Sequence, residues 1–290
     1  MKASAIGWTD YSSGDLNVVT GCTPVSAGCD HCYGRAIYER FGRDYGTVTT
    51  HPDKLARLAT QRFGKAIKDA GGNTERYSPK RGAPHKPMCF LCDTGDLFHE
   101  DVGDGFLAEV FDTLEERADV TWQVLTKRPE RMRAFFREYY DSPIKPFSEC
   151  GPIASVWLGV SVEDQATADE RIPLLLDTPA AVRFVSVEPM LGPVDLREWL
   201  QPDYDGLWHD GMWEPIPDSD PRYNALDWTI VGAESGPNRR PFDPAWAADL
   251  RDQCREAGVA YYAKQDAGLR PGVPLLLDGV TVHEWPGEGA

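Results

Sequence analysis

Apolar positions recur along the chain in two alternating rhythms. Short, near-continuous apolar runs stand at Leu16–Thr20, Met88–Asp93, Thr121–Thr126, Ser155–Val162, Val182–Val187, Trp228–Gly232 and Val259–Ala263. Runs of that length predict strands covered on both faces, as in parallel sheets. Between them, apolar residues at helical spacing predict helices over Tyr33–Phe41, Pro52–Asp69, Gly105–Arg117, Pro129–Tyr140, Asp164–Leu176 and Pro244–Ala257. This alternation predicts an α/β fold with a parallel sheet, open or closed into a barrel. One domain over residues 1–290 accommodates it, with irregular insertions near 71–87 and 201–225. The extension 269–290 carries an Asp278-Gly279 turn signal for a short hairpin.

The residues that end the apolar runs carry the chemistry. The second run ends in Asp93, then Thr94-Gly95-Asp96, and the third in Lys127-Arg128. The fourth ends in Ser161-Val162-Glu163, the fifth in Glu188, the sixth in Glu234 and the seventh in Lys264-Gln265. In a barrel these positions share the carboxyl-end face, where barrel enzymes assemble their sites. Each taken alone also reads as a helix cap or a loop charge; their succession reads as a site. Lys127 and Arg128 together suit a carboxylate or phosphate, a point cation beside a fork donor. Glu188 or Glu234 suits a proton carrier if buried, with an interior ion pair such as Lys264–Glu234 as the alternative. His99-Glu100 lacks a second histidine at the helical offset, so a zincin motif is absent and His99 reads as a loop or cap residue.

Composition narrows the class. The 290 residues are 41% hydrophobic, enough for a sizeable core, yet no run approaches the ~18–20 apolar residues of a membrane span. The amino terminus lacks the apolar stretch of a secretory signal, so a cytoplasmic protein without membrane partners is expected. A net charge of −16 argues against broad electrostatic capture of nucleic acid, although a local basic pocket can still hold a nucleotide.

The seven cysteines fall as Cys22, Cys29 and Cys32 in one loop, Cys89 and Cys92 together, and Cys150 and Cys254 alone. An odd, clustered set points to metal or redox chemistry rather than a disulfide framework. Three thiolates leave one position of a four-iron cluster open to a small molecule. The alternative is tetrahedral zinc on Cys29, Cys32, Cys89 and Cys92. It leaves Cys22 unused, and Cys89 and Cys92, three apart on a predicted strand, should project to opposite faces. Cys150 and Cys254 read as small apolar fillers.

Several stretches carry a resemblance: IGWTD (Ile6–Asp10), TGCTPVSAGCDHCY (Thr20–Tyr33), DLFHEDV (Asp96–Val102), WQVLTKRPERM (Trp122–Met132), Val156–Leu196, DWTIVGAESG (Asp227–Gly236) and Arg251–Gln265. Through them nearly the whole chain resembles a phage- and prokaryote-associated three-cysteine-motif family of unknown function. That family is similar to radical S-adenosylmethionine (SAM) proteins, spore photoproduct lyase among them. The resemblance implies a partial (β/α)6–7 TIM-like barrel and a [4Fe–4S] cluster on Cys22, Cys29 and Cys32. It also implies SAM as cosubstrate, cleaved by one electron to a 5′-deoxyadenosyl radical that takes hydrogen from a substrate.

By position, Asp93 and Asp96 correspond to the short motif that holds the SAM amino group. Ser161 and Glu163 correspond to the ribose site, and His31 or Tyr33 to an adenine contact. Lys127 and Arg128 would clamp an anion, and Glu188, Glu234 and Lys264 would face the substrate. The implied partners are a flavodoxin- or ferredoxin-like reductant protein, a nucleotide or nucleic-acid substrate, and a partner protein. The spacing C-x6-C-x2-C departs from the common C-x3-C-x2-C, and His31 stands where an aromatic is usual. A zinc-dependent barrel hydrolase and a non-catalytic cysteine-motif adaptor are the rival readings.

Overall fold

Seven parallel strands, hydrogen-bonded in chain order, form the central sheet of the computed structural model. The structure describes residues 3–68, 74–141, 151–201, 207–209, 212–214 and 225–287. The strands are β1 (Tyr11–Ser12), β2 (Met88–Leu91), β3 (Thr121–Thr126), β4 (Val156–Val162), β5 (Val182–Val187), β6 (Trp228–Gly232) and β7 (Ala260–Gln265). The sheet curls into a half barrel flanked by helices. The helices are α1 (Tyr33–Arg40), α2 (Pro52–Thr60), α3 (Asp104–Glu116), α4 (Pro129–Tyr140), α5 (Gln165–Leu176), α6 (Arg197–Leu200) and α7 (Pro244–Ala257).

Local chemistry explains the sharper boundaries. At the start of α5 the Asp164 carboxylate accepts from the Thr167 backbone N–H, while the Thr167 hydroxyl accepts from Asp164 N–H. At α7, Asp243 accepts from Ala245 N–H ahead of Pro244, and Gly258 ends the helix in left-handed backbone (φ 70°).

Strand alternation sorts the core into two layers. Cys89 and Leu91 of β2, Val160 and Val162 of β4, and Val185 and Val187 of β5 pack outward beneath the helices. The opposite row, Met88, Phe90, Trp157, Phe184, Trp228, Ile230 and Tyr262, fills the concave side together with Trp8. Trp8 plugs this side against Phe90 and Trp228, with ring centroids 4.8 and 6.0 Å away. Gly159 is required here, because a Cβ would lie 2.5 Å from the Phe184 ring. Followed by twos toward the carboxyl ends, the same row changes character. Trp157 gives way to Ser161 and Glu163, Phe184 to Ser186 and Glu188, Ile230 to Glu234, and Tyr262 to Lys264. The half barrel thus has an aromatic floor and a charged mouth.

Three sequence expectations change. The run Leu16–Thr20 is not a strand of the central sheet. Gly14–Leu16 is a 3-10 turn, and Val19–Thr20 pairs antiparallel with Thr49–Thr50. Val18 and Val19 are fully buried, so the apolar run reported burial rather than sheet pairing. The first strand is instead Tyr11–Ser12, aligned with Cys89 and Phe90. The helix expected over Pro52–Asp69 stops at Thr60, where Gln61 turns to extended backbone (φ −64°, ψ 135°), and Gly64 then turns the chain with φ 78°. Lys65–Lys68 then pairs antiparallel with Thr74–Tyr77 inside what read as an irregular insertion. In the 201–225 insertion, Leu207–His209 pairs antiparallel with Met212–Glu214; residues 202–206, 210–211 and 215–224 lie outside the described residues, as does Cys150. The C-terminal hairpin is present: Leu277 bridges Val280 across Asp278 and Gly279, both left-handed (φ 54° and 82°). No helix among the described residues is long and apolar enough to cross a membrane.

Candidate functional site

The cysteine loop is carried onto the mouth of the half barrel by backbone pairing. Gly21 bridges Gly95 in parallel just beyond β2. From there the chain passes Cys22, makes one 3-10 turn over Ala27–Cys29, and enters α1 at Cys32. Cys22, Cys29 and Cys32 are free thiols of intermediate burial. Tyr45 stands between the first and the third. Its carbonyl accepts from Cys22 N–H (2.9 Å), and its Oη accepts from the Cys32 thiol (3.8 Å). Nothing in the pattern around Tyr45 signals this role.

Two buried charges anchor the loop from below. Arg128, 8% exposed, precedes α4 and turns its guanidinium toward Cys22 and Thr23. Its Nη2 donates to the Thr23 carbonyl and hydroxyl (3.0 and 2.9 Å), and its Nη1 to Cys22 Sγ (3.4 Å). Asp96 and Glu100 hold its other side at 3.1 and 3.0 Å. His99, 1% exposed, completes this grip. The Asp101 N–H donates to its Nδ1 (3.1 Å), so Nε2 carries the proton and donates to Thr23 Oγ1 (2.8 Å). His99 is therefore more than a loop or cap residue. Burial pushes the Cys22 thiol up to about 11, helped by Asp96 and opposed by Arg128.

Glu163, 1% exposed, is the second anchor. It accepts from Ser26 Oγ (2.8 Å) and Arg171 Nη1 (3.2 Å), and pairs with Lys127. Gly28 of the loop lies directly against this carboxylate, where any Cβ would collide. The contacts join positions 26 and 28 to position 163, which explains why no local pattern announces them.

The remaining strand-end residues also converge on the mouth. Asp96 accepts from the Phe98 and Lys127 backbone N–H groups (3.0 and 3.2 Å) and from Thr126 Oγ1 (2.7 Å), besides Arg128. It thereby organises the turn after β3. Asp93 accepts from Asn17 Nδ2 (2.6 Å), and its carbonyl accepts from Tyr33 Oη. Tyr33 is 55% exposed as a residue, and its hydroxyl is tied to the Asp93 carbonyl. Ser161 is buried, and its carbonyl accepts from Arg171 (2.7 Å). Lys264 pairs with Glu188 (2.7 Å), which also accepts from Ser186 Oγ (3.0 Å). The interior ion pair is thus Lys264–Glu188, not Lys264–Glu234.

Glu234 serves Arg240 and His31 instead. It accepts from Arg240 N–H (2.7 Å) and Nε (3.1 Å) and lies 3.0 Å from His31 Nδ1. Burial disfavours its charge, but these bonds outweigh burial and hold the carboxyl at about 2, against a usual 4.5. A carboxyl with a depressed folded pKa adds stability that is complete above the unfolded value and lost as pH falls through the folded one. The stability difference between wild type and Glu234→Gln should therefore be flat near neutrality and close between about pH 4.5 and 2. Urea titrations at several pH values measure it; a difference that grows with acidity would contradict the bonding described.

Among the described residues, no group of three or more His, Cys, Asp or Glu side chains is gathered to hold a metal ion. That covers Cys22, Cys29 and Cys32 as well as Cys29 and Cys32 with Cys89 and Cys92. The expected reason was only partly right. Cys89 and Cys92 do not oppose each other across a strand. Cys92 follows β2 in left-handed backbone (φ 59°), and both thiols sit in the same apolar core. Burial pushes the Cys92 thiol up to about 12 and that of Cys89 further. Cys254 is buried in that core too. A four-iron cluster makes a different demand from a single ion, since each thiolate binds its own iron. Three free, part-exposed thiols on one anchored loop match that donor set in number and kind.

A model of the family described as "Protein of unknown function (DUF5131)" matches residues 3–272. No curated protein and no solved structure matches the chain.

Proposed function

The chain belongs to this family of unknown function, and from its site we propose that it is a radical-SAM-like iron–sulfur enzyme. The observation that carries the reading is the placement of Cys22, Cys29 and Cys32. Three free thiols are carried on one loop that Arg128 and Glu163 pin over the charged mouth of a half barrel. Residues of three sequential βα units meet there, as in barrel enzymes.

In this reading Cys22, Cys29 and Cys32 hold a [4Fe–4S] cluster. When bound, it supplies one low-potential electron that splits the sulfonium of SAM and leaves a 5′-deoxyadenosyl radical able to take hydrogen from a substrate. The chain's own residues do the rest. Tyr33, with its open ring and tethered hydroxyl, offers the adenine a stacking face, and His31 beside Glu234 borders it. The Lys264–Glu188 pair presents an ammonium and a carboxylate on the substrate side, suited to orient a polar substrate such as a nucleotide or a nucleic-acid base. The aromatic floor around Trp8, Trp157 and Trp228 excludes water from below. The electron comes from a reductant protein of flavodoxin or ferredoxin type.

Incubating the anaerobically prepared, dithionite-reduced protein with SAM tests this reading. Formation of 5′-deoxyadenosine and methionine in equal amounts is expected. A bound cluster that never cleaves SAM would favour the adaptor reading, in which the cysteine loop acts through a partner protein.

A further inference from the structure

We propose that Arg128 is a positioning residue that fixes the Cys22 sulfur and places a positive charge beside it, rather than a clamp for an anionic ligand. This rests on the reading that Cys22 ligates a cluster. A guanidinium has five N–H donors in a rigid fork, and here all are engaged. Nε donates to Glu100, Nη1 to Asp96 and to Cys22 Sγ, and Nη2 to the carbonyl and hydroxyl of Thr23. An incoming carboxylate or phosphate would have to displace one of these.

The partners are themselves held. Asp96 is fixed by the Phe98 and Lys127 N–H groups and the Thr126 hydroxyl, and Thr23 by His99. Arg128 is thus located from three directions, and through it so is the first cysteine of the loop. The unusual six-residue gap between Cys22 and Cys29 leaves Cys22 distant in sequence from the turn that holds the other two. A tertiary anchor on Cys22 answers that need.

A hydrogen bond from a cation to a ligating sulfur stabilises the extra negative charge of a reduced cluster and so raises its potential. Lysine at position 128 keeps the charge but cannot make the forked set of bonds. Glu100→Ala removes the Nε partner and a 3.6 Å contact to His99, from a side chain that is 66% exposed, and so leaves the fold in place if Arg128→Lys does not.

The test is EPR-monitored redox titration of the anaerobically isolated wild type, Arg128→Lys and Glu100→Ala, with iron counted in each. At a potential where half the wild-type cluster is reduced, the reduced-to-oxidised ratio in Arg128→Lys should fall about tenfold, equivalent to ~59 mV for one electron. Glu100→Ala removes a negative charge near the cluster and leaves the other four bonds of Arg128 in place. It should therefore move the potential the opposite way and by less, and SAM affinity should change less than about twofold. Variants that bind a cluster at the wild-type potential would overturn the proposal alone. So would a SAM affinity weakened tenfold with no shift in potential. A wild type that assembles no cluster would overturn both this inference and the function it rests on.

Discussion

Replacing Glu163 by alanine is expected to destabilise the protein by about 3–5 kcal/mol, the range for removing one partner of a buried ion pair. Arg171 and Lys127, whose side chains are 3% and 19% exposed, would lose their common counter-charge. Arg171 also spans to the Ser161 carbonyl, so it cannot swing to water without breaking β4's end. The loop above would lose its seat as well, since Ser26 donates to this carboxylate and Gly28 rests on it. Glutamine keeps the shape and an acceptor for Ser26, so Glu163→Gln should cost clearly less than Glu163→Ala. Urea unfolding at neutral pH compares the three proteins. A cost for Glu163→Ala below about 1 kcal/mol, typical of a surface pair, would contradict the assignment of Glu163 as a buried anchor.

Substitution of the loop cysteines should have the largest functional effect. Cys22→Ala, Cys29→Ala and Cys32→Ala each leave two thiolates where three are needed. Each should retain less than about a quarter of the iron of the reconstituted wild type and form no detectable 5′-deoxyadenosine. None of the three thiols is deeply buried, so these variants should remain folded. Cys254→Ala is the control: its thiol lies in the apolar core, so it should lower stability through a small cavity and leave iron binding intact. The zinc reading predicts another pattern, in which Cys89 and Cys92 variants lose metal and Cys22→Ala does not.

The strands and helices legible in the chain were those whose pattern had a single interpretation. The apolar runs at β3, β4, β5 and β6 could only be buried strands, and α4 and α7 carry their own start signals in Pro129 and in Asp243-Pro244. Leu16–Thr20 misled because Val18 and Val19 are buried in a segment that pairs with Thr49–Thr50, outside the central sheet. The true first strand, Tyr11–Ser12, is two residues long and leaves no periodicity to find. Strand-end position drew Lys127, Glu163, Glu188, Glu234 and Lys264 together, and in the structure they stand at the carboxyl ends of β3 to β7. Their pairings were not legible, because partners such as Ser26 and Glu163, or His31 and Glu234, are separated by more than a hundred residues. Asp96 and Arg128 likewise read as ligand contacts, and only the three-dimensional arrangement reveals how fully each is engaged by the protein itself.

The central claim is that Cys22, Cys29 and Cys32 together hold a four-iron cluster with one open iron. Metal and acid-labile sulfide analysis of the wild-type protein, isolated without oxygen, tests it most directly. About four irons and four sulfides per chain, with absorbance near ~400 nm that bleaches on reduction, is the predicted result. A colourless protein that carries one stoichiometric zinc and takes up no iron on reconstitution would contradict it.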